Sequence, residues 1–140
     1  MSKEEHIEKF RFLWERMLIS NKLEVCTEEL KDSTVLDVNI LRLLFNSPDI
    51  APKEIVAKLS IPNSTLTNAI NRLEKKGMIK RKLNSNDLRS LQLLLTVKGK
   101  QAILSHHAEE RTLIGNMFDI LSKEEIMSLI NIFEKLVSKL

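Results

Sequence analysis

The sequence predicts a mainly α chain of six helices with one small β-hairpin, and three observations predict it. Apolar residues recur at three- and four-residue spacing along most of the 140 residues, the period of helices that bury one face. Gly and Pro number only three each, so few positions break a helix. One stretch, 78–95, instead reads as strand, turn formers and strand, the pattern of a two-stranded ribbon.

The elements follow in order. From Glu4 to about Glu29, Ile7, Phe10, Leu13, Trp14, Met17 and Leu18 trace one apolar stripe, which predicts a first amphipathic helix. Asp32-Ser33-Thr34 interrupts it. Thr34 has the character of an N-cap, with Asp37 in the capping-box position three residues on. The second helix then buries Val38, Leu41, Leu44 and Phe45 and ends at Asn46-Ser47-Pro48-Asp49. Pro52 suits the first turn of a third helix, which buries Ile55, Val56 and Leu59. After the turn Ser60-Ile61-Pro62, a fourth helix runs from about Asn63 to Lys76 and stops at Gly77. Met78 to Leu83 is a strand, Asn84 to Asp87 a mobile tip of turn formers, and Leu91, Leu93 and Leu95 line one face of the return strand. A long fifth helix covers about Val97 to Ile120. Ser122-Lys123-Glu124-Glu125 is a capping box that opens the sixth, with Ile126, Leu129, Ile130, Phe133, Leu136, Val137 and Leu140 on one stripe.

Hydrophobic residues make up 43% of the chain and charged ones 29%, a globular balance that argues against disorder. No apolar run approaches the roughly 18 residues that span a bilayer, the start is polar and acidic, and one cysteine makes no internal disulfide. These features predict a cytoplasmic protein with no membrane partner. The net charge of +3 is unevenly spread: residues 1–31 carry −1, 32–100 carry +6, and 101–140 carry −2. A basic centre between acidic ends suits a polyanion-binding surface.

The fourth helix sharpens that reading. At 100° per residue, Leu66, Ile70 and Leu73 fall together as the core face, and Ser64, Asn68, Asn71 and Lys75 fall opposite them. Such hydroxyl, amide and ammonium groups bond base edges and phosphates, and Asn suits adenine through its paired donor and acceptor. A merely solvated helix surface would use Glu and Lys, since Asn is a poor helix former. From Ser64 to Lys75 the helix rises roughly 16 Å, about five base-pair steps. The expected DNA-contacting set is Asn63, Ser64, Thr65, Thr67, Asn68, Asn71, Arg72 and Lys75 on this helix, with Lys80, Lys82, Asn86 and Arg89 on the hairpin. Most of the cations would sit near phosphates. Arg89, past the turn, would enter an adjacent minor groove, held by Asp87 two residues before it.

The stretch from Pro52 to Lys100, PKEIVAKLSIPNSTLTNAINRLEKKGMIKRKLNSNDLRSLQLLLTVKGK, resembles the winged helix-turn-helix of the MarR family of transcriptional regulators. Asp87 and Arg89 followed by Leu95, Thr96 and Gly99 reproduce the family's D-x-R and L-T-x-x-G spacing, and Leu73, Gly77 and Arg81 add to the match. The resemblance covers essentially the whole chain. It implies a homodimer on a pseudo-palindromic operator, a repressor's role, and release by a small-molecule effector or by oxidation. It also implies the fourth helix in the major groove and the wing arginine in the minor groove. Two features depart from the pattern. Leu88 and Ser90 flank a single wing arginine where many relatives carry two adjacent arginines, and the absence of Tyr gives no support to a pocket for flat phenolic ligands.

The organisation expected is an N-terminal dimerisation helix, 1–31, a winged helix-turn-helix domain, 32–99, and C-terminal dimerisation helices, 100–140. One small winged-helix core cannot cover the stripes of both end helices, so a second copy is expected to bury Phe10, Trp14, Met17, Ile126, Ile130, Phe133 and Val137. Two recognition helices would then lie about 34–36 Å apart, one duplex turn. Cys26 stands among Glu24, Glu28 and Glu29, which raise a thiol's pKa, so an idle thiol is expected. His106, His107 and Glu110 give one His/Glu pair at helical spacing, so no metal or cofactor is expected and the histidines belong to a half-exposed helix. No phosphate-cradling loop, HExxH or G-x-S-x-G is present, so the chain is not expected to be an enzyme. The competing function is a winged-helix module that docks protein without binding DNA.

Overall fold

A computed structural model describes residues 1–20, Val25, 27–84 and 87–140, with the backbone alone at Asn84 and 87–90. Its elements are α1 (Lys3–Ile19), a single 3-10 turn (Glu28–Leu30), α2 (Val35–Asn46), α3 (Pro52–Leu59), α4 (Asn63–Lys75), β1 (Ile79–Asn84), β2 (Asp87–Leu95), α5 (Val97–Phe118) and α6 (Lys123–Val137). Six helices and one hairpin are thus as the periodicity predicts. The first helix is shorter than expected. It ends at Ile19, with Ser20 as its C-cap, and Thr27 is extended ahead of the 3-10 turn. The rest of the predicted span includes residues 21–24 and Cys26, which lie outside the described residues.

The chain forms two compact units, one of Cys26–His107 and one of Met1–Val25 with Ala108–Leu140. The first holds the core: Ile40, Leu41 and Leu44 from α2, Ile55 from α3, Leu66, Ala69, Ile70 and Leu73 from α4, Ile79 and Leu93 from the hairpin, and Ala102 and Ile103 from α5. Val38, Phe45, Val56, Leu59, Leu91 and Leu95 pack half-buried around it. Thr34 and Asp37 form the predicted capping box, Thr34 Oγ1 accepting from Asp37 N at 3.1 Å and Asp37 Oδ2 from Thr34 N at 3.3 Å. Ser122 and Glu125 do the same for α6.

Two glycines join α4 to the hairpin and to α5. Gly77 takes φ +76°, which suits glycine. Its N–H donates to Glu74 O at 2.9 Å while Met78 N donates to Leu73 O at 2.9 Å, closing α4 with a Schellman turn. Thr96 then knots the junction. Its hydroxyl donates to Gly77 O at 2.6 Å and accepts from Gly99 N at 3.0 Å, and its N–H donates to Met78 O at 3.0 Å. Gly99 is buried so tightly against this turn that a Cβ there would overlap the Met78 carbonyl, lying 3.1 Å from its carbon and 3.2 Å from Leu95 Cδ2. The L-T-x-x-G word therefore has a mechanical meaning: it fastens the start of α5 to the root of the hairpin and the end of α4.

β1 and β2 pair antiparallel, with Ile79 opposite Leu95, Arg81 opposite Leu93 and Lys82 opposite Gln92, and a register shift between Leu83 and Asn84. The ends of the hairpin tip, Asn84 and Asp87, are paired, and Ser85 and Asn86 lie outside the described residues. In the second unit α1 and α6 bury no residue within the chain. The C-terminal half of α5 and α6 enclose an apolar cleft of about 430 Å³, lined by Ile114, Met117, Phe118, Ile130, Phe133 and Val137 among others. Among the described residues no helix is long and apolar enough to cross a membrane.

Candidate nucleic-acid interface

The geometry of α4 follows its wheel. Leu66, Ala69, Ile70 and Leu73 are buried. Asn63, Ser64, Thr67, Asn68, Asn71, Arg72 and Lys75 are exposed, and Thr65 is half-buried. The first turn has no acidic residue and no side-chain cap, so its backbone N–H groups are open to an anion such as phosphate. Thr67 Oγ1 donates to Asn63 O at 3.0 Å, which leaves its lone pairs as the outward-facing chemistry.

Two polar residues of this helix are tied to the protein. Arg72 Nη2 donates to Asp37 Oδ1 at 2.7 Å. Asp37 is fully buried whereas Arg72 keeps 43% of its side chain exposed. The hydrogen bond to Asp37 raises the Arg72 pKa above its ordinary value, against a smaller opposing effect of desolvation. This pair fastens α4 to the N-terminus of α2. Asn71 is held in turn by Arg81, whose Nη2 donates to Asn71 Oδ1 and whose Nε lies 3.4 Å from Glu74 Oε1.

The hairpin separates its cations by strand alternation. Side chains of Ile79, Arg81 and Leu83 share one ribbon face, and those of Lys80 and Lys82 share the other. Ile79 and the Leu93 opposite Arg81 are buried, so Arg81 is on the face turned to α4. Lys80 and Lys82 are exposed. Lys76, at the end of α4, is spent inside the fold, its Nζ 3.0 Å from Asp32 O and 3.4 Å from Ser33 Oγ. The cations presented outward by the described side chains of α4 and β1 thus include Lys75, Lys80 and Lys82. Asn86, and the side chains of Asp87 and Arg89, lie outside the described residues.

The sequence groups Arg81 with the cations expected near phosphates and gives no sign of its bond to Asn71. Its strand face was legible: Arg81 stands between Ile79 and Leu83 at two-residue spacing, which puts it on the apolar face of its strand. His106 departs from the expectation of a half-exposed helix, whereas half-buried His107 fits it. His106 is buried and its Nε2 lies 3.0 Å from Arg42 Nη2, while His107 meets the Phe45 ring edge-on at 5.5 Å. Burial arises because Ala102, Ile103 and His106 fall on one face of α5, against the core. Cys26 lies outside the described residues.

On the expected pairing residues, Phe10, Trp14 and Met17 are exposed along α1, with the Phe10 and Trp14 rings stacked at 6.2 Å. Ile130, Phe133 and Val137 are exposed on α6 and Ile126 is half-buried.

Comparison with known proteins agrees with this architecture. A MarR family model matches residues 34–91. The chain is 32% identical over 116 residues to the Bacillus subtilis HTH-type transcriptional regulator YwhA, spanning 79% of this chain and 84% of that one. It is 33% identical over 108 residues to the Staphylococcus aureus HTH-type transcriptional regulator SarZ, across 77% of this chain and 72% of SarZ. Among solved structures, a MarR family protein from Bacillus stearothermophilus superposes with a TM-score of 0.78 at 21% identity, over 99% of this chain and 98% of that one. Streptococcus pneumoniae FabT, solved in complex with DNA, gives 0.78 at 23% identity over 99% and 100%. On the family match and these identities, the chain belongs to the MarR family of DNA-binding transcriptional regulators.

Proposed function

We propose that the protein is a sequence-specific regulator that binds a pseudo-palindromic operator as a homodimer. One observation carries the reading: a helix with no acidic residue in its first turn exposes Asn63, Ser64, Thr67, Asn68 and Lys75 beside the outward lysines of β1. Those groups pair a base-reading row with phosphate-neutralising charge. A protein-docking surface would call for an apolar anchor at its centre, and among the described side chains of α4's outer face there is none. Arg89 is assigned to the minor groove and Asp87 to its support, on the family's spacing. Repression is the simplest output, since a dimer seated on an operator excludes other proteins from it.

The dimer reading rests on the exposed stripes of α1 and α6 and the apolar cleft between α5 and α6. Exposed apolar area on this scale marks an interface. Selection of bound duplexes from a random pool tests both parts. It should return two inverted half-sites centred about one helical turn apart, with affinity that falls steeply with salt. Failure to bind any duplex at low salt would refute the operator reading. Sedimentation showing only monomer at micromolar protein would refute the dimer.

A further inference from the structure

We propose that Arg81 is a positioning residue that biases which base Asn71 reads: by engaging the amide oxygen it favours contact through the amide N–H groups, and hence guanine. The inference rests on the proposed DNA face. Arginine has five N–H donors and no acceptor. The atom of Asn71 that receives Arg81 Nη2 is therefore the amide oxygen, and the hydrogen bond found is Arg81 Nη2 to Asn71 Oδ1. The same guanidinium reaches Glu74 through Nε at 3.4 Å. Asn71 and Glu74 lie three residues apart on α4, one turn along the same face. The guanidinium spans both and restrains the Asn71 amide through its oxygen.

This arrangement changes the chemistry that Asn71 offers. An asparagine reads adenine by giving one N–H to N7 and accepting from the N6 amino group with its oxygen. Here Arg81 draws that oxygen toward the ribbon; one lone pair remains, but an amide engaged this way gives its NH2 group the freer approach to a base edge. Two donors match guanine, whose major-groove edge shows the acceptors N7 and O6. Strand alternation makes the assignment specific to Arg81: Lys80 and Lys82 are on the other ribbon face and cannot take its place. Glu74 neutralises Arg81 locally, so Arg81 adds little to phosphate attraction while directing the readout.

The test compares wild type with Arg81→Met/Glu74→Gln, which removes the clamp without stranding a carboxylate at the DNA face. Duplex selection, followed by titration of single-base variants, reads the preference directly. The wild type should show a half-site position where guanine is favoured over adenine by at least about fivefold, the low end of one paired base contact. Asn71→Ala should erase that preference. In the double variant, adenine should gain at least about fivefold relative to guanine at that position, with other positions and the thermal melt unchanged. Asn71→Asp, which has no N–H to donate, gives a second arm and should also abolish the guanine preference. If the double variant keeps every wild-type base preference and only weakens evenly across sequences, Arg81 is a phosphate contact or a structural prop and the inference fails. If the wild type binds no duplex, the proposed interface itself falls.

Discussion

Gly99→Ala should destabilise the protein by about 2 kcal/mol, although in most helices this exchange does the reverse. Alanine is favoured over glycine in a helix interior by about 1 kcal/mol. Against that gain stands the Cβ, which would overlap the Met78 carbonyl oxygen and come 3.1 Å from its carbon and 3.2 Å from Leu95 Cδ2. Leu95 could give by rotation. Met78 cannot, because its oxygen is backbone and accepts Thr96 N at 3.0 Å. Overpacking of this kind costs typically 1–3 kcal/mol, and displacing the carbonyl forfeits a hydrogen bond worth about 1 kcal/mol net. Subtracting the propensity gain leaves a net loss near 2 kcal/mol. In urea this lowers the midpoint by about 1 M for an ordinary slope. Unfolding is followed by far-UV circular dichroism at one fixed protomer concentration, because any self-association would shift the midpoint by mass action. The junction also roots the ribbon beside α4, so duplex affinity should fall with stability. A Gly99→Ala midpoint equal to or above wild type would show that the close approach at Met78 does not constrain the fold.

Other expectations follow from the same geometry. Gly77→Ala meets no atom closer than 3.8 Å, so its loss should come from the left-handed backbone alone, about 1 kcal/mol in the same urea assay. Arg72→Met strands a buried carboxylate at Asp37, whereas Asp37→Asn does not. Thermal melts should therefore rank Arg72→Met below Asp37→Asn, and adding Asp37→Asn to Arg72→Met should restore part of the loss; identical melts for Arg72→Met with and without the second change would contradict the pairing. Lys80→Ala and Lys82→Ala should each reduce the slope of log affinity against log salt by about 0.9 while leaving base preference intact, as measured by fluorescence anisotropy. Phe133→Asp, on the exposed stripe of α6, should shift the protein to monomer in sedimentation and weaken operator binding together.

Periodicity and local chemistry made much of the molecule legible before any coordinates. The stripe of Leu66, Ile70 and Leu73 needed only the 3.6-residue repeat to define the buried side of α4. Thr34 with Asp37 and Ser122 with Glu125 announced their helix starts, because capping is satisfied within three residues. The hairpin and its apolar face could be read from Leu91, Leu93 and Leu95. The end of the first helix was less legible: the stripe from Ile7 to Leu18 identifies the helix but not where it stops, and α1 closes at Ile19 with Ser20 as its C-cap.

What the sequence by itself determined was the order of the elements and which face of each is wet, since both depend on neighbours within one or two turns. Tertiary structure alone decided which polar side chains of the wet face are spoken for. Arg72 finds Asp37 across 35 residues, and Arg81 finds Asn71 across a turn and a change from helix to strand. A wheel places Asn71 and Arg72 outward with the same right as Asn68 and Lys75, because it carries no information on what a neighbouring element brings within hydrogen-bonding distance. The same holds for Gly99: its word in the sequence is plain, but the carbonyl that forbids a side chain there belongs to Met78, at the root of the opposite strand of the hairpin.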